Sequence, residues 1–349
     1  MTPTINRSAI YNSVPTDYPV LNETIILGSS TIDLESIPLA GGILVKSVWL
    51  SIDPYLRERM RDPSVKSYAP GYQIGKPIWG FAVVQVVRSE VEGAKAGDFL
   101  RVAECPFQEY NILPPEHPIT VIKEEEGVPL SLYVGMLGMP GQTAFYGLEV
   151  VGKPVKGETI FVSSGASGVG SLVAQLSKSK GLKVIASAGS DDKVAFMKSI
   201  GVDVAFNYKT ESVAEVLARE GPIDIYWDNV GGPTLDAALG AFAPGGRVVV
   251  CGNMSQYNTK ESYGIKNTSQ ILFKRLRVEG FYWFLAGETY EGQKNTSERF
   301  MQAMIHLIKS GQLKWSEQVF NGIESVGEAI IAVQTGTATA KVVVKVGST

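Results

Sequence analysis

Residues 159–170 read TIFVSSGASGVG, an apolar run that breaks into a loop with glycine at 165, 168 and 170. The β-branched and aromatic content of Thr159–Ser163 suits a buried strand, and Val169–Ser179 behind the loop has helical spacing. Glycines at such a junction let backbone approach a pyrophosphate, and the helix N-terminus then offers N–H donors and a positive dipole. Against the pattern G-x-G-x-x-G, Ser163 replaces the first glycine, while Gly165 and Gly168 match. Taken alone the loop also fits an ordinary tight turn. Its place at the head of a strand–helix series turns the reading toward a dinucleotide.

That series continues downstream. Strand-like runs at Lys183–Ala188, Val204–Tyr208, Ile223–Asn229, Arg247–Gly252 and Arg277–Trp283 follow the first. Helix-like stretches lie between the first five strands at Val169–Ser179, Asp192–Ile200, Glu211–Arg219 and Pro233–Phe242, and Thr296–Ser310 follows the sixth. Strands of this continuous apolar kind need cover on both faces, so a parallel sheet with helices on each side is expected. Upstream, the first 130 residues or so are β-rich, with runs at Gly42–Leu50, Ile78–Val87 and Ala94–Val102 set apart by Gly, Pro and Asp. Pro140-Gly141 opens a longer helical segment. The last stretch, Lys314–Thr349, is strand-like again and is expected to fold back onto the N-terminal β part.

Composition narrows the chemistry. A chain of 349 residues, 44% hydrophobic and 19% charged, suits two globular domains. It has two cysteines (Cys105, Cys251) and two histidines (His117, His306), too few for a four-cysteine zinc site, and no metal-ligand spacing. No G-x-S-x-G elbow accompanies the histidines. A net charge of −3 gives no basic surplus for nucleic acid. The N-terminus lacks a signal-peptide core, and no run approaches the ~20 apolar residues of a membrane span. The expectation is a soluble cytoplasmic protein with neither a nucleic-acid nor a membrane partner.

The second strand bears on the choice of nucleotide. An NAD site places a carboxylate at its end, but here it ends Ser187-Ala188-Gly189-Ser190, and Asp191 and Asp192 fall where helix caps and first-turn acids belong. Lys193 follows and Lys209 lies beside the third strand's end, a pattern that favours a 2′-phosphate and hence NADP. The competing reading of Lys193 is a solvated helix residue. Two further glycine turns, Asp228–Gly232 and Cys251–Ser255, end the fourth and fifth strands and so fall on the ligand-binding edge of such a sheet.

With these residues in view, the chain resembles the zinc-independent medium-chain dehydrogenases/reductases. Within them it is similar to the NADP-dependent leukotriene B4 12-hydroxydehydrogenase/prostaglandin reductase group, which includes plant alkenal double-bond reductases. The matching stretches are Asp53–Arg57 (DPYLR), Gly135–Gly147, Gly189–Val194, Phe206–Lys209 (FNYK), Asp228–Gly232 (DNVGG) and Cys251–Asn258 (CGNMSQYN). The resemblance implies an α/β chain, with a GroES-like β-rich catalytic domain (1–130 and 314–349), a Rossmann doubly wound parallel sheet (131–313), and a cleft holding NADPH. By the same resemblance, Ala166, Ser167, Gly168 and Val169 meet the pyrophosphate, and Lys193 and Tyr208 the 2′-phosphate. Asn229, the loop residues Cys251, Gly252, Asn253, Ser255 and Tyr257, and Phe281, Tyr282 and Trp283 match positions near ribose or nicotinamide. Where the group has N-x-G-K near its C-terminus, this chain has Ala338-Thr339-Ala340-Lys341, so that asparagine contact is expected to be lost.

The implied reaction reduces a carbon–carbon double bond conjugated to a carbonyl. Hydride goes to the β-carbon and the resulting enolate is protonated. Tyr257 is the first candidate for proton donor, with water as the alternative, and Tyr55 a second residue facing substrate. Trp79, Phe81 and Tyr282 are expected to line an apolar pocket. Quinone reduction, or NADPH binding without catalysis, stand as alternative functions, and a homodimer is the group's common assembly.

Overall fold

Alternating and continuous apolar runs in the first third of the chain are buried as strands. The computed structural model describes residues 3–282 and 296–347. Strands β1 (Thr4–Tyr11) and β2 (Ile25–Ile32) form an antiparallel pair. Next, β3 (Ile43–Ser51), β4 (Trp79–Ser89) and β5 (Phe99–Pro106) pair antiparallel in sequence. Two short strands, β6 (Tyr110–Leu113) and β7 (Ile119–Val121), add to β3 and β5. Ile43, Val45, Leu50, Val84 and Val102 fill the core of this unit.

The middle of the chain builds a second unit, Met139–Ser316. Helix α1 (Met139–Gly147) runs into a π-helical turn, Leu148–Gly152. Then β8 (Thr159–Val162), α2 (Gly170–Ser179), β9 (Lys183–Ala188), α3 (Asp191–Ser199), β10 (Val204–Asn207) and α4 (Val213–Glu220) alternate. They are followed by β11 (Ile223–Asp228), α5 (Gly232–Gly240), β12 (Phe242–Val250), α6 (Ser269–Phe273), β13 (Arg277–Gly280) and α7 (Thr296–Lys309). The parallel sheet runs β10-β9-β8-β11-β12-β13, the doubly wound order, with its reversal between β8 and β11. One strand starts earlier than expected. β12 begins at Phe242 rather than Arg247, because residues 243–246, with Gly245 at φ 83°, bulge out of register between Phe242 and Arg247.

The chain then returns to the first unit, which comprises Met1–Gly138 and Glu317–Thr349. The returning stretch is more than a strand. It contains β14 (Glu317–Asn321), helix α8 (Val326–Gln334) and β15 (Lys341–Lys345), with β14 parallel to β15 and β15 antiparallel to β3. The helix hides in VGEAIIAVQ, whose β-branched residues read as strand; its buried Val326, Ala329 and Ile330 keep the i, i+3, i+4 spacing. The division falls after Gly138 rather than 130. The 3-10 turn Leu130–Val134 is tied to the β sheet, with Ser51 Oγ 2.9 Å from Val134 O and Ser131 Oγ donating to Glu317 Oε2 at 2.7 Å. Among the described residues, no helix is long and apolar enough to cross a membrane.

Candidate functional site

The glycine loop sits at the sheet's reversal point. Gly165 is required there: a Cβ would lie 2.6 Å from Ala186 Cβ and 2.7 Å from Met197 Sδ. At Gly170 it would come 2.2 Å from Ser164 O, so Gly165 lets the loop pass close to β9 and α3 while Gly170 lets α2 begin tight against the loop. Ser167 Oγ accepts from Gly170 N–H at 3.1 Å and caps the start of α2. Ala166, Ser167, Gly168 and Val169 span the turn from β8 into α2.

Ser163, the departure from the motif, has a structural role of its own. Fully buried, its Oγ accepts from Asn229 N–H (3.0 Å) while its carbonyl accepts from Asn229 Nδ2 (2.7 Å). Trp227 Nε1 donates to Asn229 Oδ1 at 3.1 Å, so Asn229 is held on three sides. The two strands flanking the reversal are thus clamped together where a dinucleotide would cross. Next to them, Asp228 accepts from Val230 N–H, Gly231 N–H and Tyr226 OH through one oxygen. Burial raises the Asp228 carboxyl above the usual range despite those donors. Sequence reading gave Asp228 no role of its own; its signal is the DNVGG turn, which needs a side-chain acceptor to pin its two N–H groups.

At the far end of β9, Asp191 and Asp192 occupy the first turn of α3, Asp191 accepting from Asn207 Nδ2 at 2.9 Å. Lys193 is half-buried, and burial followed by the neighbouring charge of Lys209 lowers its ammonium below the ordinary value. Tyr208 is exposed at 51% and its ring packs on Gly189, where a Cβ would come 3.0 Å from the phenol oxygen. Two lysines, a phenol and a glycine floor make a cradle whose charge suits a 2′-phosphate.

The turns after β11 and β12 interlock. Gly231 (φ 67°) has Asn253 Oδ1 1.9 Å from where its Cβ would be, and Gly232 (φ 52°) has Ser255 Oγ at 2.6 Å. Ser255 Oγ donates to Val230 O (2.7 Å), and Cys251 N–H and Gly252 N–H donate to Asp228 O. Cys251 is half-buried and its thiol is pushed up to about 12, chiefly by burial. Asn253 N–H donates to the Tyr257 phenol oxygen at 3.3 Å. Phe281 is buried with its N–H on Val250 O (2.9 Å), Tyr282 is half-buried, and Trp283 lies outside the described residues.

Tyr55 belongs to the other unit. It lies in a 3-10 turn (Pro54–Leu56) opened by Asp53. Its ring meets Phe81 edge-on (6.4 Å between centroids), and burial raises its phenol well above the ordinary value. Trp79 and Phe81 stand two apart on β4, and Tyr282 is part of the second unit. Asp53 itself is buried and pairs with Lys341 Nζ at 2.8 Å, which also donates to Ser51 Oγ and Ile52 O (both 2.9 Å). The lysine of the altered N-x-G-K stretch thus anchors the DPYLR turn, and Ala338 packs on the β-unit core. His117 Nε2 lies 2.8 Å from Ala103 O, and His306 is exposed on α7. Among the described residues, no group of three His, Cys, Asp or Glu could hold a metal ion.

Two family models match the chain: one described as zinc-binding dehydrogenase, over residues 168–302, and one as N-terminal domain of oxidoreductase, over 30–121. The chain is 39% identical to NADP-dependent oxidoreductase RED1 of Cochliobolus heterostrophus, over 98% of this chain and 97% of that one. It is 38% identical to 2-alkenal reductase (NADP(+)-dependent) of Nicotiana tabacum, over 98% and 97%. Among solved structures, CurA of Vibrio vulnificus in complex with NADPH superposes with a TM-score of 0.87 at 32% identity, covering 98% of this chain and 100% of that one.

Proposed function

This chain belongs to the zinc-independent medium-chain dehydrogenase/reductase superfamily, in its alkenal double-bond reductase group, and on that premise we propose the following activity. It is an NADPH-dependent reductase of the carbon–carbon double bond of α,β-unsaturated aldehydes and ketones. The observation that carries this is the near full-length match to a 2-alkenal reductase, joined to a two-lysine cradle at the end of β9.

When bound, NADPH supplies a hydride to the substrate's β-carbon. The chain's residues do the rest. Ala166–Val169 and the start of α2 bind the pyrophosphate through backbone N–H groups, and Lys193 with Tyr208 holds the 2′-phosphate. Asn229, clamped by Ser163 and Trp227, fixes the turn after β11 against the Cys251–Tyr257 loop. Tyr257 donates its phenol proton to the α-carbon of the enolate, and the phenolate left behind regains a proton from solvent. Asn253 N–H, bonded to the phenol oxygen, sets that hydroxyl's orientation.

Steady-state NADPH oxidation with a panel of enals, enones and quinones tests the reading. Turnover of enals and enones above quinones is expected. Tight NADPH binding with no turnover of any acceptor would sink it. Two further expectations accompany the activity: a homodimer, the group's common form, checked by light scattering, and a cytoplasmic location, which two free thiols suit.

A further inference from the structure

Three arginines stand at alternate positions in Arg57-Glu-Arg59-Met-Arg61, and the fold treats them differently. Arg57 is buried and donates to the carbonyls of Pro15, Asp17 and Met60. Arg61 donates to the carbonyls of Glu58, Val65 and Ala69. Arg59, only 7% exposed, has no protein acceptor for Nε or Nη1 among the described residues. No carboxylate among them lies within ion-pair distance of it. The nearby acid of the same turn, Asp53, is already engaged by Lys341 and Ser51.

Instead, the Arg59 guanidinium is stacked 3.7 Å from the Trp79 ring centroid and 5.1 Å from that of Tyr55. Stacking offsets part of the cost of burying the charge but uses the π faces and leaves the in-plane N–H donors unspent. The neighbouring Tyr55 hydroxyl is likewise buried without a hydrogen-bond partner. The half-buried rings of Tyr55 and Trp79 flank the group, and Phe81 meets Tyr55 edge-on. A buried charge and adjacent donors without acceptors call for an acceptor-only, anionic group from outside the chain, and a planar guanidinium is best matched by a carboxylate.

We propose that Arg59, with Tyr55 beside it, forms a substrate subsite that binds a carboxylate, so that enones bearing a carboxylate are this chain's preferred substrates. The subsite rests on the reductase reading for its link to turnover, and Arg59 and Tyr55 act in it through the N–H and O–H donors described above.

The test compares a matched pair: an oxo-octenoate, which is a methyl-ketone enone ending in a carboxylate, and its methyl ester. kcat/KM is measured for both by NADPH oxidation. Calorimetry on the NADP-loaded protein reads their binding independently of turnover. Wild type should favour the acid over the ester by roughly tenfold or more in both readouts, as expected for charge-assisted hydrogen bonds. In Arg59→Met the acid-to-ester ratio should collapse toward one, and Arg59→Lys should keep part of it. Tyr55→Phe, which leaves the guanidinium in place, should lower the ratio by a few fold and serves if Arg59→Met fails to fold. Equal binding and turnover of acid and ester by wild type would overturn the subsite while leaving the reductase intact. Preferential binding of the acid without turnover of any enone would support the subsite and overturn the reductase reading.

Discussion

Ser163 shows how a single departure from a motif acquires a purpose. A glycine there could make the turn, but only a hydroxyl can also accept from the Asn229 backbone across the sheet's reversal point. The sequence marks the departure; the partner is visible only once β8 and β11 lie side by side. Arg59 is hidden for a similar reason, since three alternate arginines look equivalent until backbone carbonyls are assigned to two of them. Lys193 is the opposite case, expected at a 2′-phosphate from its place after the second strand, while Tyr257 is expected only from the family resemblance of the CGNMSQYN stretch. For Lys193→Ala, the preference for NADPH over NADH should shrink by roughly tenfold or more, the loss expected for one charged contact; equal losses with both nucleotides would contradict a 2′-phosphate role. For Tyr257→Phe, kcat on an enone should fall by at least about tenfold, in line with loss of a positioned proton donor. An unchanged kcat would take the phenol out of the mechanism.

Elements were most readable where one period dominates. The six strands of the Rossmann sheet overlap their expected places; β8, β9 and β11 are buried almost throughout and so continuously apolar, whereas β13 (Arg277–Gly280) is exposed along its length. The β1–β2 pair is hard to read in the sequence because β1 carries polar Asn6, Arg7 and Ser8 between its apolar residues and β2 exposes most of its outer face. Helix α8 was masked by valine and isoleucine, where packing overrode local propensity. The interlocked turns after β11 and β12 make a prediction at this scale. Gly231→Ala adds a Cβ at positive φ against Asn253 Oδ1, so it should cost roughly 1–3 kcal/mol or more and displace the Cys251–Tyr257 loop. Denaturation by urea and NADPH affinity would both register the change. Gly264→Ala, with open space around its Cβ, should register in neither.

At the scale of the molecule, each unit carries one cysteine: Cys105 in the β unit and Cys251 in the Rossmann unit. Burial pushes both thiols up to about 12, so neither is a thiolate near neutral pH. Because the folded value is raised, the associated stability is fully present below the ordinary thiol value of ~8.5 and is lost as pH climbs through about 12. Native protein at pH ~8 should therefore react slowly with a disulfide reagent, and unfolding should release both thiols. Following each thiol separately through a urea titration would report each unit's unfolding; rapid modification of the native protein would contradict the burial argument. The split β unit has a different consequence, one that concerns time. During synthesis the Rossmann unit emerges as one continuous stretch and has every strand it needs before β15 is made. β3, made early, must wait with the Trp49–Ser51 edge unpaired until β15, made only after the whole Rossmann unit, supplies its partner. Through that interval an apolar strand edge stands open to other nascent chains, so this protein's yield should depend on how fast β15 follows β3.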